Sequence, residues 1–175
     1  MLYFAYGSCM NEADFARTAP KAKRVGTAVL KNYRLAFTMY SQERRGGVAD
    51  ILPADGHWVE GILYKLSPSD WDSLDLREGA PYVYRRKQIQ VYLPDQTIRT
   101  VTTYEGVNRQ SMEVQPSWEY AEIIWHGASE LSQDYQRKLK QKLFGCNVKN
   151  FHLLDSGEWI LNSLLNEEGR GISHG

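Results

Sequence analysis

The sequence is poor in the features that mark disulfide scaffolds, metal sites and nucleic-acid-binding proteins. Its 175 residues include only two cysteines and four histidines, and Lys+Arg and Asp+Glu balance at 21 each. Cys9 and Cys146 have no C-x-x-C partner, so neither a disulfide framework nor a zinc site is indicated, and a reducing cytosol is favoured. The basic residues form short clusters and no stripe, which argues against a nucleic-acid partner.

Long apolar runs are missing as well. No window approaches the roughly 18 apolar residues of a membrane-spanning helix, and the N-terminus lacks the charged region and apolar core of a signal peptide. We therefore expect a soluble, cytoplasmic protein without a membrane partner. What the chain does contain is 42% hydrophobic and 12% aromatic residues, enough for the single core of a domain of roughly 100–200 residues.

Local patterns predict strands through the first hundred residues. Residues 1–6 form an apolar run that indicates a buried strand, and Asn11 suits the N-cap of a short helix. Residues 24–40 and 48–66 contain β-branched and aromatic residues on both sides of a turn signal, so each range is expected to hold two strands. Residues 82–107 are expected to form a hairpin around P-D-Q-T.

The strongest helix signal covers residues 68–78. Ser67 stands at the N-cap, Pro68 at N1 and Asp70 at N3, and Gly79 follows the last turn. These residue types at these positions predict both ends of the helix.

The last third of the chain changes character. Ser132 is expected to cap a helix in Q-D-Y-Q-R-K-L-K-Q-K-L-F-G, and another helix is expected from about 156–165. Strands followed by helices indicate an α+β domain in which one curved sheet or barrel carries helices on its outside. We divide the chain into a domain at 1–145 and a helical extension at 146–175, packed on the same domain, that either caps the barrel or forms a homodimer surface.

The loop after the first strand, Y-G-S-C at residues 6–9, is a candidate anion-binding loop. Gly7 lets a ligand approach the main chain closely, and amides ahead of a helix that starts near Asn11 point outward at the positive end of its dipole. Such a loop binds a carboxylate, a phosphate or a developing oxyanion. A strand-to-helix turn without a ligand has the same sequence, so both interpretations stay open.

Cys9 is either a buried thiol beside this loop or a nucleophile. A thiol near a helix N-terminus can have a lowered pKa, but a nucleophilic cysteine also needs a base. His126 could serve only if folding brings it close, since its spacing indicates nothing. A Cys9-dependent amidohydrolase or acyltransferase is therefore one alternative function.

Glu78 breaks a local rule at the end of the predicted helix. A carboxylate there faces the negative end of the helix dipole, which disfavours the charged form by roughly 0.3–1 kcal/mol. It is either solvated beside Arg77 or a general base whose pKa is raised by the helix end and by partial burial. Tyr120, in P-S-W-E-Y, similarly either packs its ring or presents its hydroxyl to a ligand.

Taken together, these stretches resemble the γ-glutamylcyclotransferase family. The likeness rests on YFAYGSCM, on GGVADILPADGHWVEGILYKLSPSDWDSLDLREG and on PSWEYAEIIWHGASELSQDYQRKL, which occur in family order from residue 2 to about residue 140. It implies a small mixed β-barrel of about six strands flanked by helices. It also implies an enzyme that converts a γ-glutamyl amide into 5-oxoproline and a free amine, with no metal or cofactor.

The resemblance further implies roles for individual residues. Glu78 would be the general acid/base. The residues that would contact the γ-glutamyl substrate are Tyr6, Gly7, Ser8, Cys9, Tyr82 and Tyr120. Cys9 stands where the family has asparagine, which keeps the backbone amide but removes a carboxamide. A non-catalytic binding module on the same fold is therefore a further alternative.

Overall fold

A five-stranded closed β-barrel forms the centre of the protein. The computed structural model describes residues 1–145, 151–153 and 159–161. The barrel strands are β1 (Leu2–Ala5), β2 (Lys23–Ser41), β3 (Gly46–Lys65), β4 (Tyr84–Tyr92) and β5 (Ile98–Gly106). They pair in the order β1-β3-β2-β4-β5, and the barrel is mixed because β1 runs parallel to β5 and antiparallel to β3. The α+β barrel is confirmed, with five strands where about six were expected.

β2 and β3 are each one long strand where the sequence predicted two. The β2–β3 ladder shifts register between Arg24 and Gly26 and again between Lys31 and Tyr33. Asn32 has a φ of 59°, a backbone conformation that asparagine tolerates better than most residues. The P-A-D-G stretch likewise lies inside β3. These breakers bend the strands without ending them, as β-bulges do.

In the part of the chain that the structure describes, four α-helices and a 3₁₀ turn accompany the barrel. The turn is Ser8–Met10, and the helices are α1 (Glu12–Ala16), α2 (Pro68–Glu78), α3 (Trp118–Gly127) and α4 (Gln133–Phe144). The α2 prediction is confirmed at both ends, since Ser67 and Asp70 form a capping box and Gly79 takes a left-handed φ of 60°. The Ser132 cap of α4 is confirmed too.

The C-terminal part differs from the prediction where it is described. β6 (Phe151–Leu153) and β7 (Trp159–Leu161) pair as antiparallel strands. The helix expected over about 156–165 is therefore wrong at 159–161, because this apolar segment pairs with β6 instead of coiling. The rest of that predicted helix, and the packing of 146–175, lie outside the described residues. Among the described helices, none has the length and apolar character needed to cross a membrane.

Close packing fixes the loop after β1 against the helices. A Cβ atom on Gly127, the last residue of α3, would lie only 2.4 Å from the amide nitrogen of Asn11, so only glycine permits this approach. Phe15 of α1 is buried against the rings of Tyr3 and Tyr64, at centroid distances of 5.7 and 4.7 Å. The 3₁₀ turn is thus held between the barrel, α1 and α3.

Candidate functional site

A cavity of about 570 Å³ opens beside the loop that follows β1. This volume suits a small-molecule ligand. The predicted site residues that line the cavity are Tyr6, Gly7, Ser8, Cys9, Glu78 and Tyr120. Residues from three separate stretches of sequence therefore meet on one surface.

The structure does not bring Tyr82 to this cavity. Its side chain is 79% exposed and it lies in a tight turn, in which the amides of Tyr82 and Val83 both donate to the carbonyl of Gly79, at 3.0 and 2.9 Å. Tyr84, two residues further on, lines the cavity instead. Tyr84 thus lines the cavity where the resemblance implied Tyr82, because the turn directs Tyr82 to solvent.

The loop from residues 7 to 10 is a 3₁₀ turn with free donors at its start. The amide of Met10 donates to the carbonyl of Gly7 and the amide of Asn11 donates to that of Ser8, each at 3.0 Å. The amides of Ser8 and Cys9 precede the first of these bonds, so they have no acceptor within the turn. They are available to a negatively charged oxygen.

Two tyrosine hydroxyls are anchored on the backbone of Ala49 in β3. The Ala49 amide donates to the Tyr120 hydroxyl at 3.2 Å, and the Tyr84 hydroxyl donates to the Ala49 carbonyl at 2.8 Å. Burial raises the pKa of Tyr120 to about 12, so this hydroxyl keeps its proton at neutral pH. A Cβ on Gly7 would lie 3.0 Å from the Ala49 Cβ and 3.6 Å from the Tyr120 hydroxyl. Glycine therefore leaves open the space that this hydroxyl faces.

Glu78, the last residue of α2, is in contact with the loop. Its carboxylate Oε1 accepts a hydrogen bond from the Cys9 thiol at 3.8 Å. Burial raises the pKa of the Glu78 carboxyl above its usual value, while the Arg77 guanidinium, the Cys9 thiol and the Arg44 guanidinium oppose that rise. A carboxyl group with a raised pKa can both accept and return a proton closer to neutrality than an exposed glutamate can.

Cys9 is held in its thiol form. Burial raises the pKa of the Cys9 thiol to about 12, a rise that Arg77 opposes and Glu78 adds to. Only 5% of the residue is exposed, whereas His126 is exposed on α3. The thiol donates its hydrogen bond to the Glu78 carboxylate. An activated cysteine nucleophile has a lowered thiol pKa, whereas the pKa of Cys9 is raised.

Arg77 links three elements around the cavity, and its role was missed from the sequence. Its guanidinium donates to the Asp14 carboxylate at 2.6 Å, to the Thr18 hydroxyl at 2.9 Å and to the Ser8 hydroxyl at 3.2 Å. These partners lie in or near α1 and the loop, about 60–70 positions earlier in the chain. No local pattern could have identified them.

The cavity presents both signs of charge. Arg44 lies 3.9 Å from Asp14 and its guanidinium is 5.4 Å from the centroid of the Tyr120 ring. The charged residues that line the cavity are Asp14, Arg17, Glu43, Arg44, Arg77 and Glu78. Carboxylates, guanidinium groups and free amides in one cavity can bind a small zwitterion.

Comparison with known proteins identifies close matches for this barrel and sequence. The family model described as Gamma-glutamyl cyclotransferase, AIG2-like, matches residues 3–123. The γ-glutamylcyclotransferase of Mus musculus is 34% identical over 146 residues, a match that covers 79% of this chain and 77% of the mouse protein. The putative γ-glutamylcyclotransferase YkqA of Bacillus subtilis is also 34% identical over 146 residues, covering 81% of this chain and 51% of YkqA.

Solved structures agree with the sequence matches. A structure named gamma-glutamyl cyclotransferase superimposes with a TM-score of 0.77 at 28% identity, covering 98% of this chain and 99% of that one. A crystal structure of an uncharacterized Homo sapiens protein gives a TM-score of 0.75 at 33% identity, covering 79% and 85% of the two chains. The barrel with its accompanying helices is therefore shared with these proteins.

Proposed function

This chain belongs to the gamma-glutamyl cyclotransferase, AIG2-like family, and we propose that it cyclises a γ-glutamyl amide to 5-oxoproline and releases the free amine. The observation that carries the proposal is the position of Glu78. Its carboxyl, whose pKa burial raises, lines the same cavity as the amides of residues 8 and 9. The substrate is a γ-glutamyl amino acid or a γ-glutamyl amine, and the reaction uses no cofactor.

Glu78 acts first as a base and then as an acid. It removes a proton from the α-ammonium group of the substrate, and the resulting amine attacks the substrate's own γ-carbonyl carbon, forming the new C–N bond of the ring. The same carboxyl then returns this proton to the leaving nitrogen as the old C–N bond breaks. The ring nitrogen gives up its second proton to the released amine, so the products are the lactam with a single N–H and an ammonium ion. Protons and atoms balance, and no group of the enzyme is consumed.

The loop after β1 holds the γ-glutamyl half. The amides of Ser8 and Cys9 donate to a negatively charged oxygen, which is either the oxyanion that develops on the γ-carbonyl or the substrate's α-carboxylate. The Tyr120 hydroxyl, which lines the same cavity, is a further donor. Gly7 keeps the space between them open.

The nucleophile belongs to the substrate. Folding of the γ-glutamyl group so that its amine faces its own carbonyl creates the attack geometry, which removes the need for an enzyme nucleophile. Cys9 therefore contributes its amide and its thiol contact to Glu78, and forms no covalent intermediate. The replacement of the family's asparagine by Cys9 preserves the backbone amide and removes the side-chain carboxamide.

A direct product assay tests this function. The protein is incubated with several γ-glutamyl amino acids and γ-glutamyl amines, and 5-oxoproline and free amine are quantified together. We expect the two products in equal amounts. Free amine accompanied by glutamate would indicate hydrolysis, and ligand-induced thermal stabilisation without any product would indicate a binding module; either result contradicts the proposal.

A further inference from the structure

The opening of the cavity carries exposed apolar side chains. Tyr40 of β2, Leu76 of α2 and Val83 in the turn before β4 all line the cavity, and they are 54%, 84% and 48% exposed. Single exposed apolar residues need no explanation, but several that converge on one cavity mark a binding surface. We call these three residues the apolar rim.

Two members of the apolar rim are close in the chain to Glu78. Leu76 precedes Glu78 by two residues on α2. Val83 packs over the residue after it, since a Cβ on Gly79 would lie 2.9 Å from the Val83 Cγ2 atom, and the Val83 amide donates to the Gly79 carbonyl at 2.9 Å. Leu76 and Val83 thus place two members of the apolar rim around the end of the helix that carries the carboxyl group.

The proposed reaction determines which half of the substrate meets this surface. Glu78 returns a proton to the leaving nitrogen, so that nitrogen lies at the carboxyl group. The γ-glutamyl half occupies the polar loop, and the substituent on the leaving nitrogen must extend away from it, toward the opening of the cavity. That substituent therefore contacts the apolar rim.

Charged residues at the opening do not favour one sign of ligand charge. Arg17 and Glu43 line the cavity and are both exposed, and they carry opposite charges. Asp14 faces both Arg77 and Arg44, at 2.6 and 3.9 Å. Exposed apolar surface is therefore the feature of the opening that can discriminate between leaving groups, because its burial by a ligand is favourable.

We propose that the apolar rim selects γ-glutamyl compounds whose leaving amine carries a large apolar or aromatic group. This inference rests on the proposed function, since it concerns the second half of the same substrate. A leaving amine with a leucine or phenylalanine side chain covers Leu76 and Val83, whereas one with a small or acidic side chain leaves them in water.

The test compares kcat/KM for 5-oxoproline release from γ-glutamyl-leucine, γ-glutamyl-phenylalanine, γ-glutamyl-alanine and γ-glutamyl-aspartate. We expect the two apolar compounds to exceed the other two by about tenfold, the lower end of what apolar pocket contacts achieve. In Leu76→Gln, which preserves helix propensity, the leucine-to-alanine ratio should fall about fivefold. Val83→Thr, which keeps the branched shape, should lower the same ratio.

Matched controls lie elsewhere on the surface. Met112 is 78% exposed and Val25 is 56% exposed, and neither lines the cavity, so Met112→Gln and Val25→Thr should leave the ratio at its wild-type value. Equal kcat/KM across the four compounds, or a ratio unchanged in both Leu76→Gln and Val83→Thr, overturns the inference while the proposed function stands. Absence of 5-oxoproline from every compound overturns the proposed function and this inference with it.

Discussion

Replacement of Cys9 by alanine distinguishes two roles of its thiol, which either positions Glu78 or attacks the substrate. Burial raises the pKa of the Cys9 thiol to about 12. The thiol therefore stays protonated at neutral pH, and its thiolate fraction is small. A nucleophile with this thiolate fraction would be ineffective, and Cys9→Ala should therefore retain most of the activity.

The expected effect of Cys9→Ala comes from the lost contact with Glu78. The thiol donates to Oε1 at 3.8 Å, and loss of such a weak hydrogen bond costs about 1 kcal/mol, or about fivefold in rate. Because this bond lowers the pKa of Glu78, its removal raises that pKa. The acid limb of kcat/KM against pH, which reports the base of the free enzyme, should move to higher pH.

The assay is 5-oxoproline release as a function of pH, with the melting temperature measured in parallel. Cys146→Ala, which removes the other cysteine, is the control for general thiol effects. A kcat of Cys9→Ala within about tenfold of wild type, with the acid limb of the kcat/KM profile moved to higher pH, supports a positioning role for Cys9. Loss approaching the roughly 10⁶-fold typical of a deleted nucleophile, in a variant that still folds, would refute it.

Two further predictions concern Tyr120, which lines the cavity, and Asp50, the chain neighbour of Ala49. Tyr120→Phe removes the hydroxyl that accepts from the Ala49 amide, and leaving that buried amide unpaired should lower the free energy of unfolding by about 1–3 kcal/mol and raise KM; urea unfolding and steady-state kinetics measure both. Asp50, fully buried next to Ala49, has a pKa that burial raises but that hydrogen bonds from Arg109 and the Gly106 amide bring below its usual value. The contribution of the Asp50 carboxylate to the free energy of unfolding should be present at pH values above about 3.9, its pKa in the unfolded chain. This contribution should be lost as the pH falls through the lower pKa of Asp50 in the folded protein. Asp50→Ala should lower the free energy of unfolding at pH 7 by about 1–3 kcal/mol for each buried donor left unpaired, which are the Thr38 hydroxyl and the Gly106 amide, and should flatten this pH dependence.

Helix α2 was predicted at both ends because its signals are local. The Ser67–Asp70 capping box and the left-handed Gly79 involve residues a few positions apart, so their residue types can be recognised in the sequence without knowledge of the tertiary contacts. The predicted helix end also placed Glu78 in the last turn, where the negative end of the helix dipole disfavours a charged carboxylate. The candidate base could therefore be chosen before the fold was known.

The strand pairs were harder to predict, since a breaker residue has two structural outcomes. Asn32 can end a strand in a turn or bend it through a bulge, and only pairing with a partner strand decides between them. In β2 the ladder with β3 continues past the bulge. One long bent hairpin was therefore mistaken for four short strands.

The contacts that complete the cavity depend on tertiary structure. Arg77 meets Ser8 and Asp14 only because α2 packs beside the loop and α1, and no spacing in the sequence indicates this. The choice between Tyr82 and Tyr84 likewise depends on where the turn after Gly79 ends and β4 begins. Resemblance to the family indicated Tyr82 as the contact residue, whereas Tyr84 is the tyrosine that lines the cavity.

In the proposed reaction Glu78 is the group that moves the proton, and Glu78→Gln removes that ability. The amide keeps the shape of the side chain and can still accept the Cys9 thiol bond, but it cannot take up a proton from the substrate. With a γ-glutamyl substrate that the wild type converts, we predict that the rate of 5-oxoproline release falls by about 10²–10⁴-fold, while the melting temperature stays at or above that of the wild type because the substitution removes a buried carboxylate. A Glu78→Gln variant that releases 5-oxoproline at the wild-type rate would contradict the account.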